Sequence, residues 1–124
     1  MTTESTIDGY FKALSSGDDW QAYVAEDIAF TSHGTPEKHV TGRDPFIAST
    51  KGFYSMIRSI EVRQLIIDGD RACALTRYVL QPPKGEPFTS DVAEIFAVRD
   101  DLIDSFEIYF DSAPYPTPNA PQTP

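Results

Sequence analysis

The second half of this chain is a run of apolar, alternating segments separated by turns too short to hold a helix. Ile60-Glu61-Val62-Arg63 alternates and runs into Leu65-Ile66-Ile67. Asp68-Gly69-Asp70 is a strong hairpin turn, and Ala72 to Leu80 is the next strand, ended by Pro82-Pro83. Lys84-Gly85-Glu86 reverses the chain, Phe88 to Val98 returns, Arg99-Asp100-Asp101 turns again, and Leu102 to Phe110 closes the series. Parallel neighbours need crossovers of about a dozen residues or more. No linker after Arg58 is that long, so these strands form an antiparallel meander.

The first half supplies the cover. Ile7, Tyr10, Phe11 and Leu14 fall at i, i+3, i+4 and i+7, which predicts a helix from about Glu4 to Ser16, stopped by Gly17. Its stripe is apolar except for the Tyr10 hydroxyl. Asp18 and Asp19 are placed to cap a short second helix carrying Trp20, Tyr23 and Val24. Ile28 to Ser32 alternates as a short strand, with Ile28, Phe30 and Ser32 on one face, and His33 to Gly42 reads as a polar loop. Asp44-Pro45 marks the start of a third helix, with Phe46, Ile47, Phe53, Tyr54 and Ile57 on its apolar side. Gly52 within that helix costs about 1 kcal/mol relative to Ala. The fold class is therefore α+β, a bent antiparallel sheet with three N-terminal helices on one side. Residues 1–111 make one domain. From Ser112 to Pro124 the chain holds five prolines and no charged side chain, which predicts an extended or disordered tail.

Ten basic residues against nineteen acidic ones give a net charge of −9, and the cations are scattered singly. Nucleic acid and anionic membrane surfaces both require clustered cations, so neither is an expected partner. Cys73 is the single cysteine and sits in an apolar strand, which fits a small hydrophobe in a reducing compartment. With a polar, acidic start and no apolar run long enough to span a bilayer, the expected location is the cytoplasm. His33, Glu37 and His39 are too loosely spaced around Gly34 and Pro36 to predict a metal site, and no cofactor is expected.

The order of elements resembles the nuclear-transport-factor-like superfamily, in its SnoaL-like and ketosteroid-isomerase-like branch. The resemblance covers roughly residues 4–111. It is carried by Tyr10-Phe11-Lys12-Ala13-Leu14-Ser15-Ser16-Gly17-Asp18, by Tyr23-Val24-Ala25-Glu26-Asp27, by Gly42-Arg43-Asp44, and by the ending Tyr109-Phe110-Asp111. It implies a cone, also described as a cystatin-like roll, whose concave sheet floors a small-molecule cavity. It also implies a dimer. On that fold, alternation would turn Ile28, Phe30 and Ser32 to the cavity, together with Cys73, Leu75, Arg77 and Val79 of the Ala72–Leu80 strand. Val92, Glu94, Phe96 and Val98, then Phe106 and Ile108, would complete the lining. The outer face would carry Ala72, Ala74, Ala93, Ile95 and Ala97, an apolar surface suited to an isologous homodimer.

The same resemblance suggests chemistry. Tyr10 matches the tyrosine that donates to a dienolate oxygen in the isomerases. Glu94 matches, with a turn one residue shorter, their protonated second donor. Two readings of Glu94 stand side by side: a pocket carboxyl with a raised pKa, or an ion-pair partner of Arg77 across adjacent strands. Ser32 stands where the isomerases keep their proton-shuttling aspartate, which leaves His33 at the cavity mouth as a candidate base. Arg77 fits the arginine of the epoxide-hydrolase pattern, but Val79 and Ile108 replace its aspartates. The expected function is a small enzyme acting by acid–base chemistry or oxyanion stabilisation on a lipophilic carbonyl or polyketide-like compound. Tyr10, Glu94, His33 and Arg77 would be its catalytic groups, and Phe30, Ser32, Val79, Phe96, Phe106 and Ile108 its lining. A non-catalytic binding module and a protein-interaction domain with a filled cavity are the alternatives.

Overall fold

The computed structural model describes residues 2–34 and 37–115. The chain runs as α1 (Thr3–Ser16), a single 3₁₀ turn (Trp20–Tyr23), β1 (Val24–Ser32), β2 (Lys38–Thr41), α2 (Arg43–Ser55), β3 (Ile57–Asp68), β4 (Arg71–Leu80), β5 (Phe88–Arg99) and β6 (Leu102–Phe110). One curved six-stranded sheet has the order β2-β1-β6-β5-β4-β3. The meander β3 to β6 is antiparallel throughout, as the short turns require. β1 joins it parallel to β6, with Phe30 beside Phe106 and Ser32 beside Ile108. That pair escapes the crossover limit because most of the chain lies between its strands.

The two long helices are built by local signals. Thr2 and Ser5 form a reciprocal capping box at the start of α1, and Gly17 ends it in the left-handed region at φ 73°. α2 begins one residue before Asp44. Gly42 is its N-cap at φ 101°, its N–H donating to the Ile28 carbonyl at 2.7 Å, and no side chain caps the helix. Pro45 then falls inside the first turn, where its missing N–H leaves no carbonyl unpaired.

Three expectations need correction. The covering layer holds two α-helices, and the segment expected to be a second helix is only the four-residue 3₁₀ turn Trp20–Tyr23. The loop from His33 to Gly42 contains β2, which pairs antiparallel with β1. β4 faces the other way from the alternation assigned to it: Ala72, Ala74, Thr76, Tyr78 and Leu80 are buried, and Cys73, Leu75, Arg77 and Val79 look outward. The reason is steric. α1 crosses over β4, and Ala72 and Ala74 are small enough to let Ile7, Tyr10 and Phe11 reach the sheet. Phe96 and Phe106 stack beneath Tyr10, with centroids 4.5 Å apart. Each fully buried ring contributes roughly 2–3 kcal/mol by area.

Ser112 to Tyr115 turns back on the fold, so Tyr115 packs against Phe53, Phe88 and Phe110. The remainder of the expected Pro-rich tail lies outside the described residues. Among the described residues, no helix is long and apolar enough to cross a membrane.

Candidate functional site

Between α2 and the concave face of the sheet lies a cavity of about 390 Å³. That is toward the small end of the range for small-molecule sites, about 300–1,000 Å³. Its floor is Phe30, Ser32, Phe106, Ile108, Val92 and Tyr78, its roof is Ser49, Thr50, Gly52, Phe53 and Tyr54 of α2, and Phe110 and Tyr115 close one side. The wall is apolar with few polar groups, and among the described residues Glu94 is the one acid on it.

Glu94 is 2% exposed. The β4–β5 register sets it opposite Ala74 and sets Arg77 opposite Asp91, on the other face of the sheet. The Arg77 guanidinium pairs with Asp91 at 2.8 and 3.1 Å. The ion pair between Arg77 and Glu94 is thereby excluded, and neither Arg77 nor Val79 lines the cavity. Tyr78 donates to Glu94 Oε2 at 2.7 Å, and Thr76 Oγ1 lies 2.5 Å from the same oxygen. Burial pushes the Glu94 carboxyl up to about 7, against the two hydroxyls that favour its charged form.

Proton accounting supports the neutral form. Thr76 also lies 3.1 Å from the Val92 carbonyl, and its hydroxyl has one proton for two acceptors. A protonated carboxyl resolves this by donating from Oε2 to Thr76, which then donates to Val92. Oε1 takes no hydrogen bond from the described residues, so it is left for a ligand.

A second donor stands nearby. The hydroxyls of Tyr10 and Tyr54 hydrogen-bond each other. Two hydroxyls sharing one bond leave one proton without an acceptor among the described residues. Tyr54 lines the cavity and Tyr10 does not, so the free proton is available there when Tyr10 donates to Tyr54. Burial pushes both phenols well above their ordinary value, which keeps them neutral. Four aromatic rings, Phe11, Trp20, Phe96 and Phe106, hold the Tyr10 ring edge-on.

The other expected residues separate. Phe30, Ser32, Phe106 and Ile108 line the cavity, whereas Phe96 lies in the core beneath Tyr10. His33 is turned away: its ring stacks on Tyr109 at 4.2 Å and its Nδ1 meets Glu37 at 2.9 Å. No cluster of His, Cys, Asp or Glu among the described residues could hold a metal ion. Sequence reasoning missed Tyr54, Tyr78 and Thr76. The strand face of Tyr78 and Thr76 was inverted, and Tyr54 was read only as part of an apolar helix side.

A family model described as the SnoaL-like domain matches residues 7–106. No curated protein matches. Solved structures agree in fold. An NTF2-like protein from Burkholderia thailandensis is 18% identical with a TM-score of 0.77, over 90% of this chain and 92% of its own. A protein assigned as a SnoaL-like polyketide cyclase, from a Jannaschia species, is 15% identical with a TM-score of 0.74, over 87% and 84%. One assigned as a ketosteroid isomerase, from Kribbella flavida, is 20% identical with a TM-score of 0.72, over 98% and 90%.

Proposed function

The chain belongs to the SnoaL-like domain family, and we propose that its cavity binds a compact lipophilic carbonyl compound and moves a proton next to that carbonyl. The observation that carries the reading is the pairing of two proton-bearing groups on one apolar wall, Glu94 and Tyr54. With the Glu94 carboxyl raised to about 7, both its acid and its base form are populated at neutral pH. As carboxylate, Glu94 takes a proton from the carbon beside the carbonyl. The Tyr54 hydroxyl, accepting from Tyr10, donates to the oxygen as it becomes an enolate. Glu94 then returns the proton to a different carbon of a conjugated enolate, or the enolate carbon attacks a second carbonyl within the same molecule, whose oxygen takes the proton from Glu94. These are the isomerisation and cyclisation outcomes suggested by the names of the two assigned neighbours.

The test is deuterium exchange. With 2-tetralone in deuterated buffer at pH 7, the protein accelerates loss of the proton signals beside the carbonyl. Glu94→Gln abolishes the acceleration, and Tyr54→Phe lowers it by roughly 10²-fold or more, the size of a lost oxyanion donor. A non-catalytic binding module is the second reading. It is supported by Ser32 and by the lack of a second carboxylate or an imidazole among the lining residues. Binding without exchange selects that reading, and no binding by any lipophilic ketone rejects both.

We also propose a homodimer through the outer sheet face, now assigned to Ile66, Cys73, Leu75, Ala93, Ile95 and Tyr109 in place of Ala72 and Ala74. Ile66, Leu75 and Tyr109 are exposed apolar groups there. A monomer mass that does not change with concentration in sedimentation would remove this proposal.

A further inference from the structure

One end of the cavity has a different chemistry from the rest. Lys38 and Ser32 are directly paired across β1 and β2, so both side chains stand on the cavity side of the sheet, and both line the cavity. Ser49, from the roof helix α2, lines it too, and its hydroxyl is buried with no hydrogen-bond partner among the described residues. A buried hydroxyl without a partner costs about 1–3 kcal/mol unless something comes to meet it. Lys38 makes no ion pair or hydrogen bond with the described residues. The acids near it in sequence or across the sheet are used elsewhere. Glu37 is held between His33 and His39, and Glu107 lies beside His33. Among the described residues only Glu94, at the inner wall, is an acid facing the same cavity.

We propose that the ligand is an amphipathic monoanion: its apolar body fills the cavity, its carbonyl oxygen meets Tyr54 with the adjacent carbon at Glu94, and a carboxylate seats at Lys38, Ser32 and Ser49. This rests on the ligand pocket proposed above and narrows its substrate class. One ammonium and two neutral hydroxyls match a singly charged carboxylate. A doubly charged phosphate would meet a single cation in a chain of net charge −9. The arrangement also sets direction, since the anion at the β2 end points the carbonyl inward.

The test uses 4-oxo-4-phenylbutanoate and its methyl ester at pH 6, where the probe is ionised and Glu94 is mostly protonated. The wild-type protein binds the acid roughly tenfold tighter than the ester, equivalent to about 1.4 kcal/mol. Added salt weakens only the acid. Lys38→Met removes the preference of the acid over the ester, while Lys38→Arg keeps it. Lys38 is exposed on a short strand, and a thermal melt verifies that each variant is folded. Equal or weaker binding of the acid by wild type overturns the anion assignment while the pocket reading stands. Tighter binding of the matching phosphonate overturns the choice of carboxylate. Failure of both acid and ester to bind overturns the pocket reading and this inference together.

Discussion

Replacing Glu94 by Gln isolates the energy stored in a buried acid. In the folded chain the carboxyl titrates near 7, raised by burial. In the unfolded chain it titrates near 4.3. Between these values the folded state holds a proton that the unfolded state has released. Stability therefore falls as pH rises through this window and levels off above it. A gap of roughly 2.7 pH units corresponds to about 4 kcal/mol. Gln is a neutral isostere whose carbonyl oxygen can still accept from Tyr78. Gln cannot donate to Thr76 as the protonated acid does, so below pH 4.5 the variant is less stable than wild type by about 1 kcal/mol. At pH 8.5 it is more stable than wild type by about 3 kcal/mol, roughly 10 °C in melting temperature. A variant less stable than wild type at pH 8.5, or a difference that does not change with pH, would refute the reasoning, because either result means that Glu94 is ionised and favourably paired.

Other substitutions test neighbouring parts. Tyr54→Phe and Tyr10→Phe each remove the bond between the two hydroxyls, and each lowers stability in denaturant titration by about 1–3 kcal/mol. The double variant costs less than the sum, because the second change removes the hydroxyl left unpaired by the first. Gly52→Ala stabilises by up to about 1 kcal/mol, since nothing lies within 4 Å of the added methyl. Gly9→Ala destabilises, because its methyl would stand 2.5 Å from the Tyr23 ring. Asp91→Asn releases Arg77 on the outer face and leaves the Glu94 titration in place, whereas a shift of that titration would mean that Arg77 reaches the pocket.

The sheet meander was legible because its turns are chemically explicit, from Asp68-Gly69 to the left-handed pair Asp100-Asp101. The position of Glu94 was legible for a similar reason: a lone acid at every-second-residue spacing with Val92, Phe96 and Val98 has to face their side. β4 was not legible in this way. Both of its faces carry apolar residues, and the choice between Ala72 and Cys73 depends on a helix crossing that no strand pattern encodes. The Arg77 partner followed from that choice and inverted with it. β2 is four residues with one partly buried side chain, too little apolar alternation to stand out from a loop. The Tyr10–Tyr54 bond joins residues 44 positions apart and depends on how α2 is laid over the sheet.

The measurement that bears most directly on a ligand pocket built around a neutral acid is the carboxyl carbon shift of Glu94, followed by NMR from pH 4 to 9 with and without saturating 2-tetralone. The free protein should titrate with a midpoint near 7, and the ketone should move it upward, because a bound ketone deepens the burial of the carboxyl. A midpoint in the ordinary carboxylate range, unmoved by the ketone, would contradict the account.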